Sequence, residues 1–182
     1  RLTKRYSIRH DYRIQDDPDS FRYQALAKVL KHKTGNCGEL AALTAACLRL
    51  ADFAPASLNV YIASWSPDHA NCVVSATALD PKIDMLSGDV ELRDCTEAVI
   101  LDPWIYRCAP ASWEDDLTNQ MHMNGVSGQQ YGCTALLPAG RTGEPLQQVG
   151  AFRKRESEFY YKLTGAAQPL LNQARKYYKD LT

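Results

Sequence analysis

The sequence lacks the features that would point to nucleic acid, a membrane helix or a secretory leader. Its 182 residues carry 21 basic and 21 acidic side chains, so no net charge attracts polyanions. The apolar runs stop well short of the ~20 residues that a membrane helix needs, and no signal-peptide pattern opens the chain. We therefore expect a soluble chain that has neither nucleic acid as a partner nor a membrane-spanning segment.

The cysteines lack the paired spacings of zinc ribbons and the density of a small disulfide scaffold. Six are scattered along the chain, at positions 37, 47, 72, 95, 108 and 133. Cys47 falls on an apolar helical face and Cys72 in a strand pattern, which favours buried free thiols and a reducing compartment. We expect no metal and no cofactor. The initial Arg1 suggests a fragment of a longer protein.

The apolar periodicity predicts an α+β domain over residues 1–182, large enough to bury roughly 70% of the surface of its unfolded chain. We expect an N-terminal arm at 1–18, a core that carries the candidate site at about 20–105, and a C-terminal helical part at about 150–182. The predicted elements are helices at about 21–32, 37–51, 113–121 and 151–180, the last broken near Gly165 or Pro169, and strands at about 58–63, 70–76, 97–101 and 134–137. We expect loops at 138–145 and a loop or hairpin at 77–94. The helical N-terminal part should pack on an antiparallel sheet.

Residues 33–40, Lys-Thr-Gly-Asn-Cys-Gly-Glu-Leu, place a cysteine between a glycine turn and the start of the second predicted helix. At such a position the helix dipole and the N–H groups of the first turn favour a thiolate. A thiolate so placed is typical of a nucleophile, and a nucleophile needs a base and an orienting group from elsewhere in the chain.

His69 and Asp102 can supply those two groups. His69 begins one predicted strand, and Asp102 ends another after an excursion of about twenty residues. If the two strands pair antiparallel, the start of one lies beside the end of the other. A helix packed against the sheet can bring Cys37 to the same edge. The sequence therefore predicts a triad of Cys37, His69 and Asp102.

In such a triad His69 takes the proton of Cys37, and Asp102 orients the imidazole ring. The thiolate attacks a carbonyl carbon, and backbone N–H groups near Cys37 and Gly38 receive the oxyanion. The resulting thioester reacts with water in hydrolysis or deamidation, and with an amine in acyl transfer.

Three segments, residues 35–41, 68–70 and 99–104, resemble the Cys-His-Asp core of papain-like and transglutaminase-like domains. They are most similar to bacterial effectors and toxins, including glutamine deamidases, transglutaminase-like effectors and effector cysteine proteases. The resemblance covers about residues 20–105 and implies a papain-like core in a single catalytic domain. It implies Cys37 as nucleophile, His69 as base and Asp102 as the orienting residue.

The resemblance also implies a protein substrate, such as a host protein met after secretion into the host cytoplasm. The expected reaction is glutamine deamidation or transglutaminase-like transfer through a thioester. Two alternatives stay open. One is a cysteine protease that cleaves a partner protein, and the other is an inactive protein-binding module.

Two positions depart from the pattern of papain. Gly38 follows the nucleophile where papain and many animal transglutaminases have tryptophan, and Lys31 stands where papain has its oxyanion-hole glutamine. The histidine also follows far sooner than the ~130 residues typical of papain and cathepsins. A digestive protease is therefore not expected. The remaining candidates for the oxyanion site and the substrate groove are Asn36, Gln24, Trp65 and Trp104.

Zinc binding is an alternative use of the same region. His69 and Cys72 could join Cys95 or Cys108 around a metal ion, but residues 69 and 72 fall on opposite faces of a strand. No second tight pair is present, so this alternative is the weaker one. His122 is the alternative base if His69 does not serve.

Overall fold

The computed structural model describes residues 23–33, 35–53, 57–65, 69–80, 82–83, 90–92, 95–113, 132–143 and 154–181. Its helices are α1 (Tyr23–His32), α2 (Cys37–Leu50) and α3 (Lys154–Leu181). Its strands are β1 (Asn59–Trp65), β2 (His69–Ser75), β3 (Lys82–Ile83), β4 (Val90–Glu91), β5 (Ala98–Asp102), β6 (Arg107–Pro110) and β7 (Cys133–Arg141). The predicted arm at 1–18 and most of the predicted helix at 113–121 lie outside these residues. Among the described helices, none combines the length and apolar character needed to cross a membrane.

The strands of the described chain form one sheet in the order β3-β4-β7-β1-β2-β5-β6. Every pairing in it is antiparallel. Helices and an antiparallel sheet together confirm the predicted α+β class. The pairing of β2 with β5 is also confirmed, because Cys72 lies opposite Leu101 and Ser75 opposite Ala98.

Each face of the sheet has its own apolar cluster. On one face, Ala45 of α2 packs with Cys72 and Val74 of β2. On the other face, Val73 and Ile100 belong to a separate buried cluster. Because side chains alternate along a strand, neighbouring residues of β2 enter different clusters.

Helix α2 lies close against the centre of the sheet because four of its six buried residues are alanine. Ala41, Ala45 and Ala46 are fully buried. Alanine is the strongest helix former and lets the helix backbone approach the strands closely. The predicted helix at 37–51 is confirmed to within one residue of its C-terminal end.

Strand β7 is longer than the strand predicted at 134–137. The prediction of a loop at 138–145 is wrong for residues 138–141, which belong to the strand. The strand pairs with β1 along its length, with Tyr61 opposite Pro138 and Val60 opposite Gly140. The register shift there is absorbed beside Gly140, whose φ is +103°. A glycine bulge thus lets a strand that contains a proline remain paired.

Helix α3 runs unbroken through Gly165 and Pro169, so the predicted break is wrong. Both residues are exposed, whereas Leu163, Ala167 and Leu171 recur every four residues and are buried. An interior proline costs a helix about 3 kcal/mol, and each fully buried leucine returns roughly 2 kcal/mol. The free energy gained by burying Leu163, Ala167 and Leu171 therefore outweighs the cost of the proline.

The excursion between β2 and β5 contains the short pair β3 and β4, with Lys82 opposite Glu91. Of the two forms that the sequence allowed for residues 77–94, a loop or a hairpin, the described residues show the hairpin. Leu92, just beyond β4, is fully buried against the face that carries Val73. The excursion therefore helps to close that face of the sheet.

Candidate active site

Helix α2 begins at Cys37 because the residue before it caps the helix. The Asn36 side chain accepts a hydrogen bond from the Glu39 N–H at 2.7 Å, and the Glu39 carboxylate accepts one from the Asn36 N–H at 2.7 Å. This capping box satisfies two N–H groups of the helix start. Cys37 is half-buried at the first helical position, where the helix dipole favours negative charge.

Gly35 allows the backbone before α2 to pack closely against the side chains of Val29 and Glu39. A Cβ atom on Gly35 would lie 3.1 Å from Cγ1 of Val29 and 3.2 Å from Oε2 of Glu39. Both neighbours are themselves buried, so neither has much room to move. The glycine is thus required where α1 passes the start of α2, and the position of Cys37 depends on it.

His69 and Asp102 meet at the end of the sheet where β2 begins and β5 ends. Nε2 of His69 lies 2.5 Å from Oδ2 of Asp102, and both side chains are buried. The antiparallel register of β2 and β5 places them there, since Cys72 opposite Leu101 sets Asn71 beside Asp102. The structure therefore brings this predicted pair together.

The Asp102 carboxylate accepts hydrogen bonds on both oxygens. Oδ1 accepts the N–H of Trp104 at 3.0 Å and that of Ile105 at 3.4 Å, which forms an Asx turn at the end of β5. Oδ2 accepts from His69 and, at 3.5 Å, from Nδ2 of Asn71. Strand β2 and the loop after β5 thus hold the carboxylate from two sides.

The ring of His69 contacts Cys37 as well as Asp102. Burial of the ring lowers its pKa, but hydrogen bonds to Asp102 and Cys37 and the charges of both groups outweigh burial and raise the pKa to about 9. Because Nε2 faces Asp102, Nδ1 is the ring nitrogen that remains for the sulfur. At neutral pH the ring therefore carries a proton between two groups that can be negative.

Cys37, His69 and Asp102 thus form a continuous series from sulfur to ring to carboxylate. Such a series can activate a thiol for attack on a carbonyl carbon. No protein-family model, curated protein or solved structure matches this chain. Its function is therefore inferred from the residues of the site.

The other cysteines lie in different surroundings. All six are free thiols. Burial raises the pKa of Cys47 to about 11 and that of Cys72 to about 12. Neutral thiols of this kind act as small apolar core residues. Cys37 differs from both because His69 lies against its sulfur.

Gly38 is the predicted oxyanion candidate with the most open surroundings. Its N–H donates to none of the described residues, whereas the N–H groups of Asn36, Glu39 and Leu40 all have acceptors. A Cβ on Gly38 would meet only Oδ1 of Asn36, at 3.7 Å. The backbone at Gly38 is therefore accessible beside Cys37. Asn36, by contrast, uses its side-chain oxygen to cap α2.

The other candidates take different places. Trp65 is buried in the core directly across from His69, and its Nε1 has no hydrogen-bond partner among the described residues. Trp104 is half-buried in the loop after β5 and donates its N–H to Asp102. Gln24 belongs to α1, but its side chain lies outside the described residues. Lys31 is exposed at the end of α1.

Sequence reasoning missed two residues of the site. Glu39 follows Asn36 by three positions, which is the spacing of a capping box, so its role could have been found. Asn71 lies two positions after His69 and therefore on the same face of β2. A polar residue inside an apolar strand was the available signal.

The zinc alternative gains no support from the structure. Within the described part of the chain, no group of three or more His, Cys, Asp or Glu side chains is arranged to hold a metal ion. His69 is engaged with Asp102, and Cys72 packs on the opposite face of β2 under α2. His122, the alternative base, lies outside the described residues.

Proposed function

We propose that this chain is a cysteine-nucleophile enzyme with a papain-like or transglutaminase-like core, which attacks a glutamine carboxamide of a partner protein. The product is a glutamate side chain or a new amide with an acceptor amine. A protein substrate fits the family resemblance to bacterial effectors. The observation that carries the proposal is the contact of His69 with both Cys37 and Asp102.

The first half of the reaction forms a thioester. The Cys37 thiolate attacks the carboxamide carbon and makes a tetrahedral oxyanion. The protonated ring of His69 gives its proton to the departing nitrogen, and ammonia leaves as the carbon–nitrogen bond breaks. Asp102 keeps the ring oriented and stabilises its positive charge before the transfer.

The second half releases the acyl group. Neutral His69 takes a proton from water, and the hydroxide attacks the thioester. Collapse of the second tetrahedral oxyanion breaks the carbon–sulfur bond and returns the Cys37 thiolate beside a protonated His69. An amine that replaces water gives transfer instead of deamidation, so the same residues serve both outcomes.

The oxyanion is received by backbone N–H groups at the start of α2. Gly38 is the proposed donor, because its N–H is uncommitted among the described residues while the capping box occupies the N–H groups of Asn36 and Glu39. Positive charge at the helix N-terminus adds to the stabilisation. The absence of a side chain at Gly38 leaves room for a protein substrate where papain has tryptophan.

The experiment that tests the proposal compares Cys37 with Cys108 as targets of iodoacetamide. Cys108 is exposed on β6 and serves as the internal reference. We expect Cys37 to react at least tenfold faster at pH 7, since an ordinary cysteine is only about a few per cent thiolate there. Equal rates for the two cysteines would contradict a nucleophilic Cys37.

The reaction outcome is then read by mass spectrometry of peptides that each contain an internal glutamine. Deamidation raises the mass of a peptide by about one dalton, and an added amine such as cadaverine appears as its own adduct. Cleavage would yield two fragments and indicate a protease. The Cys37→Ala variant is the control and should leave every peptide unchanged.

A further inference from the structure

Asn71 is a polar side chain placed in the middle of an apolar strand. It is fully buried in β2, between His69 and Val73 on the same face of the sheet. Its Nδ2 donates to Oδ2 of Asp102 at 3.5 Å. Its Oδ1 has no hydrogen-bond partner among the described residues.

With these contacts, Asn71 stabilises the folded chain less than an apolar residue at the same position would. A buried amide is favourable only where its donors and acceptor are paired, and here one long bond serves the whole group. A leucine has the same number of side-chain heavy atoms and the same branching, and it would leave no polar atom unpaired. Residues that break such a packing rule are expected at functional sites.

The position of Asn71 explains what it contributes. The loop after β5 holds Oδ1 of Asp102, whereas Oδ2 contacts only side chains of β2, His69 and Asn71, among the described residues. Asn71 and His69 are two positions apart on one strand, so their spacing is set by the strand geometry. Without Asn71, the described residues leave His69 as the one group that holds Oδ2.

We propose that Asn71 is a positioning residue, which holds Oδ2 of Asp102 against the ring of His69. It touches neither Cys37 nor a substrate in this arrangement, and it acts through Asp102. The inference concerns the same site as the proposed function and rests on it for its biological meaning. Its physical content, the orientation of a carboxylate, can be measured without any enzymatic assay.

The test is an NMR titration of the His69 ring in wild type and in Asn71→Leu, with the signal assigned by loss in His69→Ala. Cys37 and Asp102 are the ionisable groups whose contacts raise the pKa of His69. If Asn71 holds Asp102 in place, its loss weakens that contact, and the midpoint falls by about one pH unit. The thermal midpoint of Asn71→Leu should stay at or above that of wild type.

Two further variants keep the test decisive. Ser75→Ala removes another buried polar group of β2 whose Oγ has no partner among the described residues, and it should leave the His69 midpoint unchanged. Asn71→Ser is smaller than asparagine, cannot clash, and should lower the midpoint in the same direction as Asn71→Leu. An unchanged midpoint in both Asn71 variants would overturn the proposal. An upward shift would also overturn it, because Asn71 would then compete with His69 for Oδ2.

The titration and the iodoacetamide experiment fail independently. A chain without a reactive Cys37 can still show the lowered midpoint, since the change between wild type and Asn71→Leu reports the contact of His69 with Asp102. A chain with a reactive Cys37 can show no shift in Asn71→Leu. The first result removes the proposed function alone, and the second removes the role of Asn71 alone.

Discussion

At the scale of single residues, neighbours decide what each cysteine can do. Cys47 and Cys72 are surrounded by apolar side chains, and burial raises the pKa of both thiols. Cys37 meets the ring of His69, which in turn meets Asp102. The same side chain is thus an inert core group in two places and a candidate nucleophile in the third.

Replacing His69 with alanine should remove the reactivity of Cys37. Without the ring, Cys37 loses its proton acceptor and the positive charge beside its sulfur. We expect the iodoacetamide rate at pH 7 to fall by roughly tenfold or more, because an ordinary cysteine is then mostly protonated. The rates follow from mass spectrometry of the labelled peptides.

The control for this prediction is His32→Ala, because His32 is exposed at the end of α1. It should leave the Cys37 rate unchanged, and Cys108 should react equally fast in all three proteins. A Cys37 rate in His69→Ala equal to that of wild type would mean that the ring does not activate the sulfur.

The raised pKa of His69 also predicts how stability depends on pH. The value rises from 6.5 to about 9 in the folded chain, so the folded state binds the proton more tightly than the unfolded state. The resulting stabilisation is fully present below about pH 6.5 and is lost as pH rises through about 9. Its size is a few kcal/mol at most.

Urea unfolding of wild type and His69→Ala between pH 6 and 9.5 measures this contribution. The difference in free energy of unfolding should be largest at pH 6 and should shrink as the pH rises. A difference that stays constant over that range would show that His69 has the same pKa in the folded and unfolded chains.

At the scale of elements, the start of α2 does more than begin a helix. The capping box of Asn36 and Glu39 sets the direction in which the chain enters α2, and Gly35 allows the close approach of α1. Cys37 comes directly after Asn36, so these contacts fix its position. Cys37 is therefore held in the first turn of a helix rather than in a loop.

Two alanine substitutions, one on each side of Cys37, should differ in their effect on stability. Gly35→Ala places a Cβ 3.1 Å from Val29 and 3.2 Å from Glu39, so we expect a loss of about 1–3 kcal/mol. Gly38→Ala meets only Asn36, at 3.7 Å, and should be neutral or stabilise the helix by up to about 1 kcal/mol. Urea unfolding of both variants tests the pair. Equal losses would mean that the site is not packed as described.

Removing the cap should weaken the same helix start. Asn36→Ala loses the acceptor for the Glu39 N–H, and we expect a cost of about 0.5–2 kcal/mol in free energy of unfolding. Asn36→Asp keeps the acceptor and serves as the matched control, so its stability should remain near that of wild type. An Asn36→Ala variant as stable as Asn36→Asp would show that the cap is not needed.

At the scale of the whole molecule, α3 packs against α1 and against α2, the helix that begins at Cys37. Leu163 is fully buried and belongs to one cluster with Leu26 of α1 and with Ala42 and Ala46 of α2. Farther along, Arg175 pairs with Asp52 after the end of α2, and its guanidinium lies over the ring of Phe53. The ion pair lowers the pKa of Asp52, whose carboxyl is exposed.

Truncating Leu163 should destabilise the chain far more than truncating a leucine on the exposed face of α3. Leu163→Ala removes a fully buried side chain, which costs about 2–5 kcal/mol. Leu170 is 47% exposed, and Leu170→Ala should cost less than about 1 kcal/mol. Thermal unfolding of the two variants separates these outcomes. Similar midpoints would mean that α3 does not pack through Leu163.

Much of the order of the elements followed from local patterns. The helix start at Cys37, the strand that begins at His69 and the strand that ends at Asp102 were predicted from apolar periodicity and turn residues. The antiparallel pairing of the last two was a topological argument, and β2 and β5 do pair in that way. Whether the three residues perform catalysis stays a prediction.

What the sequence determined by itself is what neighbouring residues control: where a helix begins, which residues alternate along a strand, and in what order Cys37, His69 and Asp102 occur. Only the tertiary structure decided the burial of Asn71 beside Asp102, the continuity of α3 through Pro169 and the raised pKa of His69. Each of these depends on contacts between segments far apart in the chain. A short stretch of sequence contains little information about such contacts. The arrangement of the candidate site therefore became visible only in the tertiary structure, where the sheet brings His69, Asn71 and Asp102 together.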